Sequence, residues 1–119
     1  MTANRRHIES LVGEELSAVS FVRDYVEFHF DGPVLRALTN PIVCDAKAQH
    51  RFPDPGSRDA LCGLIDSVVS QVTVEPGFAI ELRFVRNTVL SIPLDDAARR
   101  GPEAAHFMGE LIHSPLDVW

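Results

Sequence analysis

The chain has 119 residues, 45% of them apolar and 24% charged, with a formal net charge of -6. These proportions exclude global disorder, and the length suffices for one core without disulfides or metal. The acidity argues against nucleic acid as a partner, because phosphate contacts need a basic face, and the only Lys/Arg doublets are Arg5-Arg6 and Arg99-Arg100.

The first residues, MTANRRHIESLVGEE, have no apolar run behind their arginines, so no signal peptide is expected. No stretch approaches the length of apolar residues that a membrane-spanning helix requires. Cys44 and Cys62 make no disulfide framework and are expected as reduced thiols. A cytoplasmic, single-domain protein over residues 1–119, without membrane association, is the expectation.

Residues 4–12 predict a short helix capped by Asn4, with Ile8, Leu11 and Val12 on one side and Gly13 ending it. From about residue 16 the period changes to two. Val26, Phe28 and Phe30 face one way, and Tyr25, Glu27 and His29 the other, as in a half-buried antiparallel strand. Arg23-Asp24 and Asp31-Gly32 are its turns, which makes residues 16–39 a three-stranded meander that Asn40-Pro41 breaks. Ile42–Arg51 carries a weaker alternation, with Ile42, Cys44, Ala46, Ala48 and His50 on one face, and predicts an exposed edge strand.

Phe52-Pro53-Asp54-Pro55-Gly56 is a connector. Ser57 is placed to cap a central helix over residues 57–67, whose Leu61, Leu64, Ile65 and Val68 follow the spacing of one buried face. Residues 70–94 form a second meander with turns at Glu75-Pro76-Gly77 and Arg86-Asn87. Pro102 and Glu103 suit the first turn of a last short helix over 102–112, with Ala104, Phe107, Met108, Leu111 and Ile112 inward.

The second meander repeats the first. Val26, Phe28 and Phe30 answer Ile80, Leu82 and Phe84; Leu35 and Ala37 answer Leu90 and Ile92; Glu27 matches Glu81. The expected fold class is therefore α+β: two three-stranded antiparallel meanders around a central helix, joined as one curved sheet or facing as a partly open barrel, with short terminal helices. The repeat matches inward residues better than outward ones, since His29 aligns with Arg83. It reads as a duplicated core rather than a duplicated active site.

Few residues suggest chemistry. Outward positions of the repeated strands offer a polar patch of Glu27, His29, Glu81 and Arg83, which general acid–base work would need to find in a concave, partly dry site. His106, Glu110 and His113 would share one face of the last helix, but on its solvent side. Cys44, His50 and Cys62 lack the close pairs of zinc sites. There is no G-x-S-x-G element and no glycine-rich phosphate loop. No catalytic residue, cofactor or metal is assigned.

Several segments carry a resemblance. Leu11-Val12-Gly13 leads into a strand, and Tyr25-x-Glu27-x-x-Phe30-Asp31-Gly32 follows. Next come Arg58-Asp59-Ala60-Leu61-Cys62-x-Leu64-Ile65, Gly101-Pro102-Glu103-Ala104-Ala105 and the terminal Trp119. Together they resemble a family of small bacterial domains of unknown function. The strand–turn–strand units are also distantly similar to immunity-type proteins of bacterial toxin systems. The resemblance implies no catalytic residue. The expected function is a non-catalytic protein-interaction module, of immunity or accessory type, binding a protein partner or pairing as a homodimer. The alternative is a small-molecule binder or minor enzyme using a cavity between the sheet and the central helix.

Overall fold

The alternating runs of the two meanders become strands, and two short strands outside them, one of three residues and one of four, decide the architecture. The computed structural model describes residues 7–109 and 116–119. In chain order these form a 3-10 turn (His7–Leu11), β1 (Ala18–Val22), β2 (Tyr25–His29), β3 (Val34–Ala37), β4 (Ile42–Cys44) and β5 (Gln49–Arg51). A short helix α1 (Ser57–Cys62) follows, then β6 (Val69–Glu75), β7 (Ala79–Phe84), β8 (Val89–Pro93), β9 (Ala105–Met108) and β10 (Asp117–Val118).

The strands make two five-stranded sheets, ordered β1-β2-β3-β9-β10 and β5-β4-β8-β7-β6. All their pairings are antiparallel. The second order, read backwards, is the first with each strand replaced by the one five places away in the chain, later for β1, β2 and β3 and earlier for β9 and β10. The duplication therefore covers five strands per half, not three. In each half the meander stays in one sheet while the fourth and fifth strands cross to the other, so β9 completes the first sheet beside β3 and β4 completes the second beside β8. The inner faces of both sheets meet in one core containing Phe28, Phe30, Leu35 and Phe107 from the first and Ile80, Leu82, Phe84 and Leu90 from the second. The helical segments close the open sides. Ile8 N–H donates to Asp117 on β10 (2.9 Å) and the 3-10 turn packs on β6, while α1 packs on β1, β4 and β5.

This corrects the expected α+β class: the described residues are mostly antiparallel strand in two sheets, with no central helix among them. The helix read over 57–67 is a single turn, Ser57–Cys62, whose cap is Gly56 and not Ser57. Glycine at position 63 disfavours continuation, and one turn alone cannot offset the cost of helix nucleation. Beyond it the backbone is claimed by an earlier segment: Asp66 N–H donates to the Leu16 carbonyl (2.8 Å), and Leu16 N–H to that of Ser67 (3.0 Å). The i, i+3, i+4 spacing survives only because Leu61 and Leu64 both point into the core.

The last helix is also overturned. Ala105–Met108 is strand β9, and residues 110–115 lie outside the described residues. The alanines favour helix locally, but the open edge of β3 offers a ladder, and tertiary pairing outweighs weak propensity. Burial then follows period two, with Ala105 and Phe107 inside and His106 and Met108 half-buried. The first helix is the 3-10 turn alone among the described residues. The edge strand read over Ile42–Arg51 is a hairpin whose buried residue is Val43, on the face opposite to the one expected to be apolar. Asp45 makes its turn by accepting from the backbone N–H of Lys47 (2.8 Å) and Ala48 (2.9 Å). No helix among the described residues is long and apolar enough to cross a membrane.

Phe107 belongs to the second half yet fills the core of the first sheet, fully buried. Its replacement by Ala is expected to cost about 3–5 kcal/mol in denaturant unfolding, a large share of a typical domain's stability. Asp45 tests the other crossed hairpin. The two backbone N–H bonds hold its carboxyl below the usual carboxylate range, with the His50 and Lys47 charges helping. A carboxyl with a depressed folded-state pKa stabilises above its unfolded pKa, and that contribution disappears as pH falls through the folded value. Carboxyl NMR titration should find Asp45 ionising below a model aspartate, and Asp45→Asn should flatten the acid limb of the stability curve.

Candidate functional site

The outward positions of the sheets line up across strands because register places them there. On the first sheet Glu27 of β2 stands opposite Ser20 of β1 and Arg36 of β3, and Arg36 stands opposite His106 of β9. Arg36 closes on Glu27, with Nε and Nη2 both 2.9 Å from Oε2. Its guanidinium also lies over the Tyr25 ring, 4.8 Å from the centroid. Charge-assisted bonds and a ring face together hold a guanidinium more tightly than either alone.

His29, two residues along β2 on the same face, reaches this row without making a relay. Its Nε2 lies 3.3 Å from Ser20 Oγ and 3.4 Å from Glu27 Oε1. Both contacts fall on one nitrogen. A nucleophilic triad needs the serine on one ring nitrogen and the carboxylate on the other, so this trio has no relay.

The equivalent row of the second sheet is Thr73, Glu81, Ser91, Ile42 and Arg51, running across β6, β7, β8, β4 and β5. Here Ser91 stands where Arg36 stands in the first sheet. Among the described residues, no ion pair or side-chain hydrogen bond reaches the Glu81 carboxylate. A cleft of about 370 Å³ opens above it, lined by Phe78, Ala79, Glu81, Ser91 and Arg51, with Asp95 and Ala97 on one wall.

That wall comes from the one large departure from the duplication. In the first half β3 passes to β4 through residues 38–41, whereas in the second β8 passes to β9 through residues 94–104. Two arginines tie the longer crossover down. Arg99 donates from Nε to the Leu94 carbonyl (2.9 Å) and from Nη1 to that of Pro102 (2.8 Å). Arg100 donates from Nη2 to the carbonyls of Leu38 (2.7 Å) and Asp24 (2.7 Å). A second, smaller cleft of about 250 Å³ lies at that junction, between Asp24, Leu38 and Pro102.

The four residues of the expected polar patch are thus divided. Glu27 and His29 share one outer face; Glu81 and Arg83 share the other, across the core, and Arg83 points into solvent beyond the cleft lining. His106 sits on β9, with Nε2 2.7 Å from Glu103 Oε1 and its side chain only 14% exposed. Glu110 and His113 lie outside the described residues, and with β9 in place of a helix the i, i+4, i+7 face does not apply to His106. Among the described residues no three His, Cys, Asp or Glu side chains stand where they could hold a metal ion. Cys44 is half-buried and Cys62 exposed, both free.

Sequence reasoning missed Arg36, Ser91, Phe78 and Asp95. For Arg36 the signal was present. A tight hairpin at Asp31-Gly32, where both residues have positive φ (56° and 132°), fixes the register that sets Arg36 against Glu27. No protein-family model matches the chain, and comparison with curated proteins and with solved structures finds no match either.

If the first row is held mainly by the Arg36 pairing, Arg36→Ala should cost about 1 kcal/mol, because Glu27 stays partly shielded without its partner. Glu27→Gln in the same background should then add little. A double-mutant cycle by urea unfolding reads the coupling, and independent, additive effects would show the pairing to be unimportant.

Proposed function

We propose that the chain is a non-catalytic interaction module that offers the free edge of β6 to a second polypeptide, in the simplest case a second copy of itself. The observation that carries this reading is the state of the sheet edges. β5 and β10 are three and two residues long, too short to template a partner. β1 is flanked by α1, by Phe52 stacked on Phe21 (centroids 5.6 Å apart) and by Arg58 over both rings. β6 runs for seven residues. The Glu14 backbone covers its start by pairing with Val69, and its register shifts at Ser70. From Gln71 to Glu75 no other strand pairs with its outer side among the described residues.

Natural edges are blunted by charge, proline or brevity. The middle of this one, Val72-Thr73-Val74, has none of these and is built of β-branched residues suited to pairing. Two copies related by a twofold axis at Thr73 place Thr73 against its mate, Gln71 against Glu75, and Val72 against Val74. No like charges meet, so the edge is complementary to itself.

The non-catalytic part of the reading is supported by the engaged Ser20, His29 and Glu27, whose geometry has no relay. An immunity-type or accessory role, as the sequence resemblance implies, is one biological form of such a module, with a toxin as the other chain. A cytoplasmic setting belongs to this proposal too. The ligand-binding alternative finds support not between the sheet and α1, whose Leu61 is packed into the core, but in the cleft on the outer face.

Thr73→Lys tests the edge. Inside one chain the new lysine stands opposite Glu81, so the fold should be kept, whereas across the twofold two lysines would oppose each other. Sedimentation over a concentration series should show a dimer for the parent chain and a monomer for the variant. A parent chain that stays monomeric throughout, with β6 amides exchanging as freely as exposed loops, would remove the basis for self-pairing.

A further inference from the structure

The two outer rows form an internal comparison, and it points to a ligand. In the first sheet the chain supplies its own guanidinium to the row: Arg36 lies against Glu27 at 2.9 Å and over Tyr25 at 4.8 Å. In the second sheet the same ladder position is Ser91, facing Glu81 as Arg36 faces Glu27. The carboxylate is kept, the guanidinium is absent, and the space a long side chain would take is the open cleft of about 370 Å³. We propose that this cleft is a guanidinium-binding site, taking a guanidino small molecule or an arginine side chain of another polypeptide.

The remaining lining suits that group. Ala79 stands where Tyr25 stands in the first sheet, so that ring is missing, but the adjacent Phe78 lines the cleft with 61% of its surface exposed. An aromatic face held open to water beside a carboxylate is what a planar cation stacks upon. Asp95, from the crossover, adds a second carboxylate, and Ala79, Pro93 and Ala97 offer apolar surface for a methylene stem. Arg51 is the one cation of the lining. Three strand spacings separate its backbone from that of Glu81, about 14 Å. Its strand is thus the far end of the row from Glu81, and a cation entering from there favours a ligand whose other end is anionic. Guanidinium is preferred over ammonium because both features of the first-sheet arrangement, the fork on a carboxylate and the flat face on a ring, are specific to it.

The site uses side chains on the outer face and not the backbone edge of β6, so failure here leaves the proposed pairing untouched. The test is titration of the full chain with N-acetyl-arginine amide, followed by amide chemical shifts, with the lysine and norleucine counterparts as controls. Saturable shifts are expected at Ala79, Glu81, Ser91 and residues 95–98, stronger for arginine than for lysine and absent for norleucine. Glu81→Gln should weaken binding about tenfold or more, and Glu27→Gln should leave it unchanged. Ser91→Arg should abolish binding by supplying the group from within, with shifts elsewhere as in the parent. Should that variant fail to fold, Phe78→Ala, at an exposed position, should still weaken binding. Free arginine binding better than its amide, with the difference lost in Arg51→Ala, would identify a small molecule as the ligand. An arginine-containing peptide binding better than either would identify a polypeptide side chain. Equal responses to arginine and norleucine, undiminished binding in Glu81→Gln, or no saturable shift at the cleft would overturn the proposal.

Discussion

The pairing of each half's fourth strand with the other half's third is the constraint on which the rest depends. Without β9 the first sheet would end at β3, and without β4 the second would end at β8. Neither half contains a complete sheet of its own, so neither buries its meander alone. Phe107 and Val43 occupy corresponding places in this exchange: each lies on a crossed strand and enters the core beneath the other half's sheet. The helical segments serve the same end, one sealing the β6 and β10 side and the other the β1 and β5 side.

A duplicated frame makes its departures informative. Inward positions are kept apolar because a shared core demands it. Outward positions are free to diverge, and they have: Arg36 in one row is Ser91 in the other, and a short crossover in one half is a long, arginine-tied one in the other. On one outer face Arg36 neutralises Glu27, while on the other Glu81 faces a cleft with no ion pair among the described residues. Loops and outward residues can change without disturbing the exchange of strands, which is why function is sought there.

The meanders were readable because their strands are long enough for period two to show, and because Asp31-Gly32 announces its turn. The alternation over Ile42–Arg51 showed strand but neither the turn at Asp45 that splits it into β4 and β5 nor its buried face, while β9 and β10, at four and two residues and outside any meander, were not readable. The alanines at 104 and 105 and the apolar spacing from Leu61 to Val68 both mimic a helix face, and only competition for the backbone tells them apart. Asp66 bonded to Leu16 and the ladder from β3 to β9 are long-range pairings that no local pattern contains.

By itself the sequence determined which residues are apolar and in what rhythm, and hence that two related meanders would each turn one face inward. It also determined three of the four meander turns, through Asp31-Gly32, Gly77 and Asn87 at positions of positive φ. Tertiary structure alone decided that the meanders lie in separate sheets, and which hairpin completes which. It separated Glu27 and His29 from Glu81 and Arg83 and set Ser91 opposite Glu81. The reason is physical. Alternation is a property of neighbours along the chain, whereas strand partnership is a competition among all open edges, settled only once the core has closed.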